Sequence, residues 1–211
     1  MSILFSIIFD CDGTLVDSEP ITVNVLIEFI GEFGFELRYE DALPLFVGRD
    51  MPGIMVVLES WMNSKLPDTF SDEFRARQAT ALRKDLTAIS GAHDLLGSLQ
   101  RQFCVASNAP QAKIEINLTT TGLSSFFTPG TTFSAYDINV WKPEPDLFLY
   151  AADKLNVDPT RCVVIEDSQA GIDAGLAAGM QVIGYSHTPE EAATKEVPFV
   201  HCLTELIEVL N

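Results

Sequence analysis

Basic residues are scarce in this chain of 211 residues. It contains 13 Lys and Arg against 30 Asp and Glu, which gives a formal net charge of −17. Nucleic acids and anionic membrane surfaces bind proteins that carry a surplus of Lys and Arg, so the charge argues against both kinds of partner. If the ligand is anionic, a few local cations or a metal ion must reverse the overall field at its site.

Closely spaced cysteines and long hydrophobic runs are also missing. The four cysteines are far apart and form no CxxC pair, which is typical of reduced core thiols rather than of a metal site. No apolar stretch is long enough to span a bilayer. The N-terminal apolar run lacks basic flanking residues and is interrupted by Asp10, so we expect no signal peptide and a cytoplasmic protein.

Two carboxylates follow a very apolar segment near the start of the chain. Residues 3–9 read as a buried strand, and Asp10 and Asp12 come directly after it, before Gly13. Residues two apart on a strand point to the same side, so the two aspartates should share a pocket while Cys11 faces away. Their repulsion is about 4 kcal/mol at the effective dielectric of a protein edge. A bound cation, a proton on one of the pair, or both must offset it.

The pattern of apolar residues changes along the chain. The stretch from about Ile21 to Leu86 shows helical spacing, whereas short apolar strands alternate with helices from Phe103 onward. Such alternation predicts a parallel sheet with helices on both faces. The first strand should join the later ones, which leaves the helical stretch as an insertion. We therefore predict an α/β core of residues 1–16 and 87–211, with an all-helical cap domain of residues 17–86.

Two polar clusters come at the carboxyl ends of predicted strands, where open parallel sheets bind ligands. Ser107 and Asn108 precede a helix that begins near Pro110. The free N–H groups there could bind an anion, but Ser and Asn are also good N-cap residues. Lys142 stands before Pro143 in a rigid loop. It is either a ligand of an anion or a solvated lysine.

A further cluster, Glu166 and Asp167, ends another apolar strand. Two acids in this position are costly unless they are paired or bind metal, although Asp167 or Ser168 could instead cap the next helix. Taken together, four carboxylates, a lysine and a hydroxyl would converge at adjacent strand ends. This set suits a hard divalent cation with oxygen ligands, Mg²⁺ above all, beside an anionic substrate such as a phosphate.

These clusters are similar to the four motifs of the haloacid dehalogenase superfamily. The segment DCDGTLVD resembles its first motif, ASNAP its second, the lysine of WKPEPD its third and VIEDS its fourth. The order and spacing of the motifs cover nearly the whole chain. The resemblance implies a Rossmann-like core with a helical cap inserted after the first motif.

The resemblance also implies a role for each cluster in phosphoryl transfer. Asp10 would be the nucleophile and Asp12 the general acid and base. Asp12 would begin protonated, with its pKa raised by the neighbouring carboxylate and by closure of the cap. The expected ligands of Mg²⁺ are the Asp10 side chain, the Asp12 backbone carbonyl, Glu166 and Asp167. The residues expected to bind the phosphoryl group are Gly13, Ser107, Asn108 and Lys142.

Several features narrow the expected substrate. An acid at Asp12 fits phosphate monoesters with an alcohol leaving group. The cap and the Glu–Asp pair resemble the branch that contains β-phosphoglucomutase and small sugar phosphatases. Residues 135–148 are especially similar to phosphatases of that branch that act on 6-phosphogluconate. Thr22 stands where the mutases have a histidine, which favours hydrolysis.

We therefore expect Mg²⁺-dependent hydrolysis of a small sugar phosphate such as 6-phosphogluconate, through an aspartyl phosphate. The alternatives are a sugar phosphate mutase and a non-catalytic module that binds a phospho-ligand. In the cap, Arg49 beside Gly48 could reach the second anionic or hydroxylated end of the substrate, or it could be a solvated arginine in a turn. We expect a monomer or a weak homo-oligomer.

Overall fold

A parallel sheet of six strands forms the centre of the molecule. The computed structural model describes residues 6–46, 49, 51–186 and 197–211. The strands are β1 Ser6–Phe9, β2 Phe103–Ser107, β3 Thr132–Ser134, β4 Cys162–Glu166, β5 Gln181–Tyr185 and β6 Phe199–Val200. Their order across the sheet is β3-β2-β1-β4-β5-β6.

Strand β1 joins the later strands, as the sequence predicted, and lies in the middle of the sheet. Ile7 pairs with Phe103 on one side and with Val163 on the other. The strand is buried along its whole length, which explains its continuous apolar sequence. Residues 3–5, which we also assigned to this strand, lie outside the described residues. The predicted α/β class is confirmed.

Helices cover both faces of the sheet. Those of the core are α5 Ala92–Ser98, α6 Gln111–Thr120, α7 Ala135–Ile138, α8 Asp146–Lys154, α9 Gln169–Ala177 and α10 Leu206–Leu210. Side chains of β1 alternate between two hydrophobic clusters. Ile7 and Phe9 belong to the cluster that includes residues of α5, α6 and α10, whereas Ile8 belongs to the one with α8 and α9.

The segment between β1 and β2 is helical and has a hydrophobic cluster of its own. Its helices are α1 Glu19–Gly31, α2 Tyr39–Ala42, α3 Met51–Met62 and α4 Phe70–Asp85, with a 3₁₀ turn at Leu43–Phe46. Phe29 stacks on Phe70 with ring centroids 4.6 Å apart, inside a cluster that also includes Leu26 and Phe74. A separate core is what an inserted cap requires, although the exact domain boundaries stay a prediction.

Two chain segments join the helical insertion to the sheet, and they are bonded to each other. The backbone N–H of Asp17 donates to the carbonyl of Thr87 at 3.0 Å, and that of Ile89 donates to Leu15 at 2.9 Å. The entry and the exit of the insertion therefore lie side by side. In the described part of the chain, no helix has the length and apolar character needed to cross a membrane.

Candidate active site

One cavity lies between the carboxyl ends of the strands and the helical insertion. Nearly all of the side chains singled out in the sequence line it, and Arg49 reaches it from the insertion. The residues concerned are Asp10, Asp12, Arg49, Ser107, Asn108, Lys142, Glu166 and Asp167. The convergence follows from the parallel topology, because every strand of such a sheet ends at the same edge.

Lys142 forms the centre of a buried ion cluster at the bottom of this cavity. Its Nζ lies 2.5 Å from Oδ1 of Asp10 and 2.7 Å from Oε1 of Glu166. The three residues are 3%, 7% and 1% exposed, respectively. A lysine with two buried carboxylate partners is not a solvated loop residue, so that alternative is wrong. Asn108 fixes the loop, since its amide donates to the Lys142 carbonyl and its Oδ1 accepts from the Lys142 N–H.

The pKa values of both Asp10 and Lys142 are raised, but for different reasons. Burial raises the pKa of Asp10 to about 7; Lys142 opposes this shift, and the negative charges of Glu166 and Asp12 add to it. Burial by itself would lower the pKa of Lys142, but Asp10 and Glu166 raise it above its usual value. Lys142 is therefore a permanent cation, whereas Asp10 needs more positive charge nearby to stay ionised at neutral pH.

Glu166 and Asp167 occupy crowded positions at the end of β4. Oε2 of Glu166 accepts from the N–H and the hydroxyl of Ser168 at 2.8 and 2.9 Å. The Ser168 hydroxyl also accepts from the Gly171 N–H and so caps α9, which leaves Asp167 in the site. Burial, with the charges of Glu166 and Asp10, raises the pKa of Asp167 well above its usual range, against a bond from Thr14.

Two glycines give these acids their space. A Cβ on Gly171 would lie 1.8 Å from Oε1 of Glu166, and a Cβ on Gly13 would lie 2.2 Å from Oδ2 of Asp167. Gly13 also has a φ of +86°, a region that favours glycine. Its N–H donates to the Val16 carbonyl at 2.9 Å. The structure thus shows a packing role for Gly13, and its predicted contact with phosphate stays a prediction.

The contacts of Asp12 do not favour the protonated form that we expected. Its Oδ1 accepts from Nζ of Lys113 at 2.7 Å, from Nδ2 of Asn117 at 2.9 Å and from the hydroxyl of Ser18. Burial would raise the pKa of Asp12, but Lys113 and the hydrogen bonds from Ser18 and Asn117 outweigh it and lower the pKa. The expected rise in the pKa of Asp12 is therefore wrong for this arrangement, because a cation and two further donors stabilise the carboxylate.

Ser107 does not cap helix α6. Its buried hydroxyl accepts from the Ala109 N–H at 3.1 Å, and the helix itself begins after Pro110 without a side-chain cap. The cap interpretation is thus wrong for this serine, whose hydroxyl lies in the cavity wall. Its contact with a phosphoryl group, like that of Asn108, stays a prediction.

The donor set is suited to a divalent cation once a carbonyl is included. In the described ranges, no three or more His, Cys, Asp or Glu side chains are grouped so as to hold an ion by themselves. The predicted ligand set includes three such side chains, those of Asp10, Glu166 and Asp167, which are not grouped in that way here, and the Asp12 carbonyl would be a fourth donor. The raised pKa values of Asp10 and Asp167 show buried oxygen donors that lack sufficient positive charge. Hard cations prefer such ligands, so these residues fit Mg²⁺.

The wall contributed by the insertion is less tightly bonded. Arg49 is exposed, and its Nη1 donates to the Pro44 carbonyl at 2.9 Å. Its neighbour Gly48 lies outside the described residues. Thr22 is buried, and its hydroxyl accepts from the Gln78 amide at 2.9 Å. The position where the mutases have a histidine is therefore part of a neutral hydrogen-bonded pair.

Sequence reasoning missed the cation and the two polar groups that surround Asp12. Lys113 and Asn117 are one helical turn apart on α6, so they lie on the same face of that helix. The helix begins directly after β2, and its first turns must therefore face the carboxyl edge of the sheet. This spacing was a signal that could have identified them. Ser18, six residues after Asp12, had no comparable signal.

The comparisons with known proteins agree with this geometry. Residues 7–185 match the haloacid dehalogenase-like hydrolase family. The chain is 35% identical over 202 residues to 6-phosphogluconate phosphatase of Escherichia coli, covering 95% of this chain and 89% of that protein. It is 29% identical over 202 residues to hexitol phosphatase A of the same organism, with 94% and 91% covered.

A solved structure shows the same fold over the whole length. It is a conserved haloacid dehalogenase-like protein of unknown function from Agrobacterium tumefaciens, with a TM-score of 0.80, 31% identity, and coverage of 98% of this chain and 97% of that one. The chain belongs to the haloacid dehalogenase-like hydrolases. The predicted enzyme class, a phosphoric monoester hydrolase, is also confirmed.

Proposed function

We propose that this enzyme hydrolyses small phosphorylated sugars or sugar acids, 6-phosphogluconate among them, through an aspartyl phosphate. The observation that carries the proposal is the contact of buried Lys142 with both Asp10 and Glu166. This contact places a permanent cation against a carboxylate that can act as a nucleophile. The names of two relatives, a phosphatase of 6-phosphogluconate and a phosphatase of hexitols, support the substrate class.

The first step transfers the phosphoryl group to Asp10. A carboxylate oxygen of Asp10 forms a bond to phosphorus while the bond from phosphorus to the leaving alcohol oxygen breaks. Lys142 neutralises charge on the transferring group, and Asp12 gives its proton to the alcohol. In the second step, Asp12 accepts a proton from water, which attacks the aspartyl phosphate and regenerates Asp10.

The contacts of Asp12 add a condition to this scheme. Lys113, Asn117 and Ser18 stabilise its ionised form, which suits the base of the second step. The acid of the first step needs a proton on Asp12. We infer that these contacts loosen when substrate binds and the cap closes, because exclusion of water then favours the neutral carboxyl.

We propose that Mg²⁺ is held by the side chains of Asp10, Glu166 and Asp167 with the carbonyl of Asp12. When bound, the ion supplies positive charge that offsets the repulsion among these acids and the charge of the phosphoryl group. Glu166 already accepts three hydrogen bonds from Lys142 and Ser168. Its contribution to the metal therefore includes fixing the lysine beside Asp10.

The proposal is tested by phosphate release from para-nitrophenyl phosphate and from a panel of sugar phosphates that includes 6-phosphogluconate. We expect release that requires Mg²⁺, stops with EDTA and is lost in Asp10→Asn. A matched control is Asp153→Asn, an exposed acid on α8. Full turnover by Asp10→Asn would contradict the scheme. Binding of phosphorylated ligands without any release would support the non-catalytic alternative.

The mutase alternative makes a different prediction for the same panel. A mutase would interconvert hexose phosphates and need a bisphosphate activator. The neutral Thr22–Gln78 pair offers no titratable group at the position of the mutase histidine, which favours hydrolysis. The small-molecule phosphorylated substrate is part of this proposal. The cytoplasmic location and the monomeric or weakly associated state stay predictions.

A further inference from the structure

The cations around the cavity divide into two groups by their partners. Lys142 pairs with Asp10 and Glu166, and Lys113 pairs with Asp12. Arg75, which lines the cavity from helix α4, makes no ion pair with a carboxylate in the described part of the chain. Arg49, which also lines the cavity, donates to the Pro44 carbonyl, so Arg75 and Arg49 are both cavity cations without a carboxylate partner among the described residues.

An aromatic pair on the core side holds Arg75 at the cavity. The guanidinium lies 5.7 Å from the centroid of the Tyr136 ring, and Nη2 lies 3.5 Å from the Tyr136 hydroxyl. Tyr136 in turn packs edge-to-face against Trp141, with ring centroids 5.3 Å apart. Trp141 directly precedes Lys142 in the chain. Arg75 is therefore linked by two rings to the loop that carries the catalytic lysine.

Trp141 also has an unused donor. It lines the cavity, and its indole Nε1 is buried without a hydrogen-bond partner among the described residues. A buried N–H without an acceptor is unfavourable, and an acceptor oxygen supplied by a ligand would satisfy it. Arg75 on the insertion side and Trp141 on the core side thus bring a guanidinium and a neutral donor to the same cavity.

We propose that Arg75 and Trp141 form a subsite for the non-reacting end of the substrate and that this subsite takes a carboxylate. The inference rests on the proposed phosphatase function and narrows it to phosphorylated sugar acids. The planar guanidinium can donate two parallel hydrogen bonds to a carboxylate. Arg75 and Lys142 line the same cavity, so a substrate whose phosphate lies at Lys142 can present its acid end to Arg75.

The test compares two substrates that differ only at that end. Sorbitol 6-phosphate has a CH₂OH group where 6-phosphogluconate has its carboxylate. In steady-state assays of the Mg²⁺-loaded enzyme, Arg75→Gln should lower kcat/KM for 6-phosphogluconate at least about ten-fold more than for sorbitol 6-phosphate, since an ionic bond is lost for one substrate only. Arg75→Lys should recover part of the difference. Trp141→Phe keeps an aromatic ring but removes the indole N–H, so it should raise KM for 6-phosphogluconate.

The control is Arg83→Gln, an exposed residue on the same helix that does not line the cavity. It should leave the ratio between the two substrates unchanged. Equal losses on both substrates in Arg75→Gln, or no loss on either, would overturn the inference. A wild type that hydrolyses para-nitrophenyl phosphate and sorbitol 6-phosphate without preferring 6-phosphogluconate would overturn the inference and leave the phosphatase function standing.

A binding measurement separates failure of the inference from failure of the proposed function. Calorimetric titration of 6-phosphogluconate into the Mg²⁺-loaded Asp10→Asn variant requires no turnover. Adding Arg75→Gln in that background should weaken binding at least about ten-fold. An affinity that Arg75→Gln leaves unchanged counts against the subsite, whatever the kinetics show. So does a lack of 6-phosphogluconate binding by the Asp10→Asn variant itself. Absence of phosphate release from every ester, with Arg75-dependent binding intact, would overturn only the phosphatase function.

Discussion

The two walls of the cavity are built in opposite ways. On the core wall, the charged groups are buried or half-buried and are bonded to partners, as in the contacts of Lys142 with Asp10 and Glu166. On the wall of the helical insertion, Arg49 and Arg75 are exposed. Their bonds go to a carbonyl and to a tyrosine. One wall is crowded with opposite charges, and the other carries positive charge without a carboxylate partner among the described residues.

The difference follows from where each wall is attached. The core side chains come from the ends of central parallel strands, whose positions are fixed by their neighbours in the sheet. The insertion has its own hydrophobic cluster and joins the sheet through only two adjacent segments. Groups that must hold a reacting atom need the rigid wall. Groups that choose among substrates can lie on a wall that approaches after binding.

The largest loss of activity is expected at Asp10, the proposed nucleophile. Asp10→Asn should lower kcat at least about a thousand-fold on every substrate, since the covalent route is lost. Single-turnover assays with para-nitrophenyl phosphate and with 6-phosphogluconate check this. The asparagine is nearly the same size, so the melting temperature without metal should not fall. A loss confined to the larger substrate would place Asp10 in recognition instead of chemistry.

Removal of the buried cation should cost stability as well as activity. Lys142→Met leaves two buried carboxylates without their partner, and breaking such a pair costs about 3–5 kcal/mol. The pKa of Asp10 is already raised to about 7 and rises further without Lys142. Asp10 is therefore neutral at pH 5, and the loss of unfolding free energy should be smaller at pH 5 than at pH 8.

Urea unfolding at both pH values measures this effect. Lys154→Met serves as the control, because this lysine is half exposed and lies near the acid Asp153, which is itself mostly exposed. The control should change stability by less than about 1 kcal/mol at either pH. A loss in Lys142→Met that is the same at pH 5 and pH 8 would show that packing, and not unpaired charge, dominates.

A smaller effect is expected at Lys113, which acts through Asp12. Lys113→Met removes the cation that lowers the pKa of Asp12, so that pKa should rise by about one unit or more, since a charged hydrogen bond contributes about 1.5–3 kcal/mol. Asp12 would then keep its proton to a higher pH, so the alkaline limb of the plot of kcat against pH should shift to a higher pH. Lys84→Met, an exposed lysine on α4, should leave that limb in place.

The smallest effect is expected on the wall of the insertion. Arg49→Ala should raise KM for an extended sugar phosphate by about three- to ten-fold, the range of a single partly exposed charged contact. The rise in KM for para-nitrophenyl phosphate should be smaller, since that substrate lacks a second polar end. Steady-state kinetics on both substrates test this. Equal increases in KM for both substrates would show that the wall of the insertion does not choose between substrates.

Much of the reactive wall could be predicted from the sequence because its parts lie next to strands in the chain. Asp10 and Glu166 come at the ends of apolar segments, and Lys142 precedes Pro143 in a rigid loop. In a parallel sheet, that position is sufficient to bring them together. The surroundings of Asp12 could not be predicted in this way. Lys113 is 101 positions away in sequence, and its effect on the proton of Asp12 depends on a distance that no motif contains.

The sequence by itself determined the fold class, the family and the edge of the sheet where the polar groups meet, since these follow from apolar periodicity and from the order of the motifs. The tertiary structure decided which charges are paired and which are left over. Charge pairing depends on burial and on separations of a few ångströms. Asp12 therefore emerged with a lowered pKa, and Arg75 and Arg49 emerged as cavity cations without a carboxylate partner among the described residues.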